Sequence, residues 1–167
     1  LYENDERVIS IHGYVYPTKK ELPEAFFLKG ADCWGWATWN RGWNLFNSDG
    51  NYLLKELKNR KLLKSFDLNG AYSYSDMLEG QIKGTNESWA VRWHASAFLA
   101  NKLTLYPGES LVKNIGIDGS GIHCGTSSSF VSELSAKPVS LDSVLVEESD
   151  YARKAIEDFF RSKKLPV

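Results

Sequence analysis

The chain alternates short apolar runs with longer segments in which apolar positions recur at helical spacing. The alternating stretch Arg7–His12 predicts a strand that Gly13 ends, and Leu103–Tyr106 predicts another. A further short apolar run covers Ala25–Leu28 and ends at Gly30. Short strands mixed with helices favour the α/β class, with helices flanking a small sheet.

Helical segments are indicated by apolar positions spaced three or four residues apart and by capping residues before them. They are expected from Ala37 onward, at Asn51–Leu63 after Ser48 or Asp49, at Ser73–Ile82, at Glu87–Asn101 and at Tyr151–Lys163. The segment that Asn86 opens is apolar around much of its circumference, so it is buried or lies under a pocket. No glycine-rich phosphate loop follows an opening strand, so the elements resemble part of an α/β domain.

Composition narrows the classes of protein that fit. A length of 167 residues suits one domain, and 43% hydrophobic with 25% charged residues is typical of globular chains. No apolar run reaches the roughly 20 residues of a membrane-spanning helix, and a net charge of −1 argues against nucleic acid as a partner. The two cysteines, Cys33 and Cys124, are too far apart for a zinc ribbon, and they do not form a disulfide scaffold. A first residue other than Met suggests a piece of a longer protein.

The most specific feature is a run in which four tryptophans fall within ten residues and alternate with glycine, from Trp34 to Trp43. Indole rings offer flat surfaces that stack on sugar rings, and each adds a directional N–H donor. Glycine between the rings lets a ligand approach the backbone. The alternative is a hydrophobic hub where a loop enters a helix, because aromatic residues dominate protein cores.

Acidic residues near two helix starts are candidates for a general base. Glu87 opens the apolar helix, where the helix dipole stabilises a carboxylate and a pocket mouth would suit a base. A purely capping role is the alternative. Asp76 and Glu79 lie about one turn apart on the preceding helix and share a face, which is more often a solvated face.

A glycine-rich stretch between Asn114 and Gly125 could cradle phosphate with its backbone. It contains Asp118 and His123, and a neutral imidazole at His123 could bind a metal ion. These two residues alone are too few for a metal site, and a solvated histidine is the alternative.

Taken together, the chain resembles the C-terminal half of a family 2 glycosyltransferase with the GT-A fold, a Rossmann-like α/β domain. The resemblance is to bacterial and archaeal transferases of surface-polysaccharide assembly. It rests on four stretches in order, which cover Val8–Pro17, Phe26–Trp43, Ser88–Gly116 and Asp118–Cys124.

The resemblance implies that residues 1–167 form a single unit, the acceptor-side part of a partial GT-A domain. The chain has no DxD motif, so the nucleotide-binding half that carries this motif in such enzymes is expected to be absent. The isolated 167 residues are therefore expected to be inactive. The implied reaction is a single displacement with inversion, in which a base deprotonates an acceptor hydroxyl and a metal neutralises the leaving nucleoside diphosphate.

The resemblance also assigns roles to individual residues. Glu87 takes the place of the acidic base motif near Thr85–Ser88, although Ser88 stands where a second acid is expected, and Asp76 is the reserve candidate. His123 matches the metal-binding histidine. Substrate contacts fall on the glycine loop, the tryptophan run and an Arg-Trp pair, namely Gly30, Trp34, Gly35, Trp36, Trp39, Arg92 and Trp93.

The implied ligands are a nucleotide-sugar donor, a glycan or lipid-linked acceptor, and Mn²⁺ or Mg²⁺ that is expected only in a full-length protein. The implied location is the cytoplasm, with the inner face of the membrane as one place of action. A sheet edge left open by a missing half would favour pairing with a second copy. Two competing hypotheses are a non-catalytic carbohydrate-binding module with a tryptophan platform, and a purely structural or protein-interaction domain.

Overall fold

A small mixed sheet flanked by helices forms the framework of the protein. The computed structural model describes residues 1–115, 128–141 and 144–163. Its four strands lie in the order β2-β4-β1-β3. Strand β1 (Val8–His12) runs parallel to β4 (Leu103–Pro107), while β2 (Ala25–Lys29) and β3 (Trp36–Thr38) run antiparallel to their neighbours. The predicted α/β class is confirmed at this level.

Six α-helices lie within the described residues. The longest are α6, α5 and α2, and α1 and α3 are single turns. Their bounds are Asn40–Trp43 for α1, Gly50–Asn59 for α2, Leu63–Phe66 for α3, Tyr74–Ile82 for α4, Trp89–Leu99 for α5 and Asp150–Lys163 for α6. None of these described helices is both long and apolar enough to cross a membrane.

Capping side chains set where two of the helices begin. The Asp49 carboxylate accepts a hydrogen bond from the Tyr52 backbone N–H, which starts α2 as predicted. The Ser88 hydroxyl accepts from the Val91 N–H and starts α5. The expected start at Glu87 is therefore wrong by two residues, and Glu87 lies outside the helix, before its cap.

Two other predicted helix boundaries also need correction. Ala37 lies in strand β3, because Trp36–Thr38 pairs with the end of β1, and the helix begins only at Asn40. The helix expected over 51–63 ends at Asn59 and is followed by a separate turn of helix at Leu63–Phe66.

The sheet has a different cover on each face. Phe26 and Tyr106 lie on the face that α6 covers, where they pack with Ile156 and Phe159. The opposite face carries Phe27, Leu103 and Leu105, which pack against Val139, Leu141, Val144 and Val146. The predicted inner side of α6 is confirmed, since Ala152, Ile156, Phe159 and Phe160 are all buried.

Helices α2 to α5 form a second layer with a core of their own around Leu57, Phe66 and Phe98. Helix α5 joins this layer to the sheet, because its Trp93 and Ala97 pack with Ile9 of β1 and with Ala31. The loop from Gly30 to Gly35, between β2 and β3, lies against this same helix.

Candidate functional site

The candidate site lies where the parallel strands β1 and β4 end side by side. His12, the last residue of β1, pairs with Trp36, the first residue of β3. The loop from Gly30 to Gly35 leads into Trp36, so the predicted glycine loop and tryptophan run reach this edge. In open α/β sheets, ligands bind beyond the carboxyl ends of the parallel strands.

Four indoles at this edge form what we call the indole cluster: Trp36, Trp43, Trp89 and Trp93. The ring centroid of Trp36 is 5.8 Å from those of Trp89 and Trp93, and 5.9 Å from that of Trp43. Trp43 and Trp89 are each 40% exposed, whereas Trp93 is fully buried. Trp43 and Trp89 therefore form an apolar surface that faces solvent, supported from beneath by Trp93.

Arg92 and Trp93, an expected substrate-binding pair, hold this cluster in place. The Arg92 guanidinium lies 5.8 Å from the centroid of the Phe46 ring and donates to the Ser48 carbonyl. Phe46 in turn stacks on Trp43, with centroids 4.8 Å apart. Because Trp93 is fully buried, its ring supports the cluster and is not open to a ligand in this conformation.

The other two tryptophans of the run lie in separate surroundings. Trp34 packs edge-on against Tyr14, at 4.8 Å between centroids, and against Phe130. Trp39 precedes α1, and the guanidinium of Arg41 lies 4.7 Å from its ring centroid. The sequence run is therefore divided among three places and does not form one continuous platform.

Gly30 and Gly35 shape the loop that carries these tryptophans. Both adopt positive φ angles, of 95° and 59°, which glycine accepts without steric cost. A Cβ atom at Gly30 would collide with the imidazole of His94, and one at Gly35 would collide with Val112. Both glycines are thus required by close packing under the loop.

Beneath the loop lies a cavity of about 30 Å³, which we call the tyrosine cavity. It is enclosed by the β2 end, α5, α6 and the start of α4. The phenol of Tyr16 donates a hydrogen bond of 3.0 Å to Oδ2 of Asp32, which comes from the loop. The polar residues that line the cavity are Tyr16, Lys29, Asp32, Tyr74, His94, Tyr106, Glu148 and Arg153.

His94 of α5 also lines the tyrosine cavity, and one of its ring nitrogens is buried. Its Nδ1 lies 2.9 Å from the Ala31 carbonyl oxygen and 3.2 Å from the Ala31 backbone nitrogen, so the tautomer decides whether Nδ1 donates to the carbonyl or accepts from the N–H. Nε2 is shielded from solvent and has no hydrogen-bond partner among the described residues. Burial lowers the pKa of His94 to about 4, so the ring is neutral at pH 7.

The charge on Asp32 affects the groups around it. Burial raises the pKa of Tyr16, Tyr74 and Tyr106 well above the ordinary value, and the neighbouring Asp32 carboxylate raises each of them further. These phenols therefore stay protonated and remain hydrogen-bond donors. Asp32 thus has neutral phenol donors beside it in the cavity.

The acids expected from the sequence lie elsewhere. Glu87 and Asp76 are both exposed, and neither lines the cavity. Glu79 forms ion pairs with Lys58 and Lys83, which agrees with a solvated helix face. The predicted metal ligand, His123, lies outside the described residues, as does Asp118. Within the described part of the chain, no three His, Cys, Asp or Glu side chains come together as a metal site would need.

Sequence reasoning missed Asp32, His94 and Tyr16 as members of a site. The one available signal was an acid placed between glycine and a tryptophan run, because an acid in a loop of small and aromatic residues seldom serves packing alone. The ring of His94 also stacks on Phe66, at 5.0 Å between centroids, so it contributes to packing as well.

The fold and the site define a mixed α/β domain with a polar cavity and an exposed indole surface at the carboxyl edge of its sheet. No family model, no curated protein and no solved structure matches this chain.

Proposed function

We propose that the chain is the acceptor-side part of a glycosyltransferase domain, which transfers a sugar from a nucleotide-sugar to a glycan or lipid-linked acceptor. The resemblance of four ordered stretches to family 2 transferases motivates the proposal. The transfer is a single displacement, and inversion at the anomeric carbon is the outcome that the resemblance implies.

The observation that carries the proposal is the exposed indole pair, Trp43 and Trp89, at the carboxyl edge of the sheet. Their ring centroids are 6.1 Å apart and the rings meet at 73°. Sugars present C–H faces that pack on indoles and hydroxyls that need polar partners. A rigid corner of two rings, fixed by Trp36 and Phe46, suits one face of a glycan.

A divalent metal ion is part of the proposal through His123 alone. When bound, such an ion would neutralise charge on the leaving nucleoside diphosphate. His123 lies outside the described residues, so the described edge supports acceptor binding and does not bear on the metal.

Calorimetry tests the acceptor part of the proposal. Neutral oligosaccharides are titrated into the 167-residue chain and into the variants Trp43→Ala and Trp89→Ala. Each variant is expected to weaken binding about tenfold, since stacking on an aromatic ring contributes on the order of 1 kcal/mol. Tyr52→Ala is the matched control, because Tyr52 is 48% exposed but lies on α2. Equal losses in all three variants would count against an indole sugar site.

The donor part is tested by titrating UDP- and GDP-sugars with Mn²⁺ into the product of the complete reading frame that encodes this chain. Binding that needs Mn²⁺ and is weakened by His123→Ala is the expected result.

A non-catalytic carbohydrate-binding module is the second candidate, favoured by one observation. The contacts of the indole cluster within the described residues are almost entirely aromatic and apolar, as a stacking platform requires. Glycan binding without any binding of nucleotide-sugars would favour this candidate over the transferase.

A further inference from the structure

Asp32 lines the tyrosine cavity and is at the same time partly exposed to solvent. Its side chain is 21% exposed, and it lies in the loop between β2 and β3, two residues before Trp34. Its Oδ1 is 4.0 Å from Nε2 of His12, the residue that ends β1. Asp32 therefore lies at the same carboxyl edge as the indole cluster, on the loop that leads to Trp36.

The carboxylate is held in one orientation by groups that leave room for a further partner. Oδ2 accepts the Tyr16 hydroxyl at 3.0 Å, and Oδ1 accepts the Cys33 backbone N–H at 2.7 Å. Each carboxylate oxygen has two acceptor sites, and the described residues supply one donor to each, so within the described part of the chain each oxygen can accept one further hydrogen bond. Fixed orientation with spare acceptor capacity is what a base needs if it is to receive a proton from a bound hydroxyl.

The other acid in the cavity, Glu148, is paired with a cation. Oε1 of Glu148 lies 2.9 Å from the Arg153 guanidinium and also accepts the Lys29 backbone N–H. His12 cannot compete as a base either, since its Nε2 accepts the Trp34 N–H and its Nδ1 lies 2.7 Å from the Tyr14 carbonyl oxygen. Among the described residues, Asp32 is therefore the acid of the cavity that is not paired with a lysine or an arginine.

We propose that Asp32 is the general base that deprotonates the acceptor hydroxyl, an inference that rests on the proposed transferase function. The proton of the acceptor hydroxyl moves to a carboxylate oxygen of Asp32. The acceptor oxygen forms a bond to the anomeric carbon of the nucleotide-sugar. The bond from that carbon to the diphosphate oxygen breaks, and its electron pair leaves with the nucleoside diphosphate.

This assignment replaces Glu87 and Asp76 for a physical reason. A general base must lie within hydrogen-bond reach of the hydroxyl in a bound pose. Glu87, before the cap of α5, and Asp76, in the first turn of α4, are both exposed and do not line the tyrosine cavity, so water would compete with any bound hydroxyl. Asp32 is partly enclosed by protonated phenols.

The test measures two quantities on the product of the complete reading frame. One is the rate of nucleoside diphosphate release from a nucleotide-sugar in the presence of acceptor glycan, and the other is the affinity for that glycan by calorimetry. Asp32→Asn keeps the size of the side chain but removes its basicity and replaces one acceptor oxygen with an NH2 donor. Glu87→Gln and Asp76→Asn test the competing assignments, and Glu3→Gln is an exposed control.

The expected result is a fall in kcat of about 100-fold or more in Asp32→Asn, with glycan affinity within about twofold of the original protein. A thermal melt checks that the variant is folded. If it is not, Asp32→Glu and Asp32→Gln form a second pair of equal size, of which only the first keeps a carboxylate. The glutamate variant is then expected to be at least about tenfold faster.

Two outcomes would overturn the inference, and they are distinguishable. A full rate in Asp32→Asn together with loss in Glu87→Gln or Asp76→Asn rejects Asp32 and leaves the transferase function standing. Absence of nucleotide-sugar binding and of turnover in the unsubstituted protein rejects the transferase function, and the inference fails with it.

Discussion

The indole cluster and the tyrosine cavity both adjoin the loop from Gly30 to Gly35. Their aromatic rings nevertheless make different kinds of contact. In the cluster, Trp43 and Trp89 contact other rings and expose 40% of their surface. In the cavity, the rings carry hydroxyls, and the hydroxyl of Tyr16 donates to the Asp32 carboxylate. Aromatic content alone therefore indicates little about chemistry, because the neighbouring polar groups decide whether a ring stacks or donates.

The largest expected effect is on the free energy of unfolding, and it distinguishes the buried ring of the indole cluster from an exposed one. Trp93→Ala should lower the free energy of unfolding by about 3–5 kcal/mol, because it removes a fully buried indole between α5 and β1. Trp43→Ala should cost less than half as much, since that ring is already 40% exposed. Urea denaturation at pH 7 measures both values. Equal losses would mean that the exposed ring is as much a part of the core as the buried one.

The next effect concerns the cavity and depends on pH. Burial lowers the pKa of His94 from the ordinary 6.5 to about 4, so between these values the unfolded chain binds a proton that the folded chain excludes. The stability that His94 contributes is therefore complete above pH 6.5 and is lost as the pH falls toward 4. The full loss is on the order of 3 kcal/mol.

Chemical denaturation of the original protein and of His94→Gln between pH 5 and 7 checks this expectation. The variant should show a flatter curve, because its amide does not titrate. His12 is unchanged in both proteins, so the difference between the two curves reports His94. Asp32, Glu148 and Arg153 act on His94 through their charges and are likewise retained in the variant. Parallel curves would contradict a buried, neutral His94.

The sequence predicted local features of the fold well where one signal dominated. The alternation at Arg7–His12 and the apolar run at Leu103–Tyr106 correspond to strands β1 and β4, and Asp49, one of the two expected caps, starts α2. Prediction was wrong where a tertiary contact overrides helical spacing. Ala37 fits a helical pattern, but pairing with β1 holds Trp36–Thr38 extended.

The candidate site could be predicted only in part, for a related reason. The tryptophan run is visible in the sequence. Its members lie in separate surroundings because the run passes through a loop, strand β3 and helix α1. The tyrosine cavity draws Tyr16, Tyr74 and Tyr106 from positions far apart in the chain. No local spacing connects them, so only the packing of α4 and α5 beside the sheet reveals the group around Asp32.

A smaller effect tests the loop that joins the two regions. Gly30→Ala should destabilise the protein by about 2–3 kcal/mol, because φ is positive and the new methyl group meets the His94 ring. Gly84→Ala is the matched control, since its φ of 73° carries similar strain but nothing lies within 4 Å of the added atom. It should cost only about 1–2 kcal/mol. Equal decreases in Tm for Gly30→Ala and Gly84→Ala would contradict this expectation, because they would mean that the loop can move away from α5 to accommodate the added methyl group.

The smallest effect asks whether the phenols of the cavity act through their hydroxyls. Tyr16→Phe keeps the ring, which packs against Phe159 and Phe160, but removes the hydrogen bond to Asp32. It should lower the free energy of unfolding by about 1 kcal/mol or slightly more, because the bond is charge-assisted and partly enclosed.

Tyr151→Phe provides the comparison that makes this loss interpretable. The hydroxyl of Tyr151 also donates a hydrogen bond, of 3.1 Å to the Glu21 carbonyl oxygen, but the residue is 54% exposed. Water replaces that bond when it is lost, so the cost should stay within about 0.5 kcal/mol. If urea denaturation gave the same small value for both, the Tyr16 hydroxyl would be as well solvated as an exposed one. The cavity would then be an extension of bulk water, and of the two regions compared the indole cluster alone would depend on exclusion of solvent.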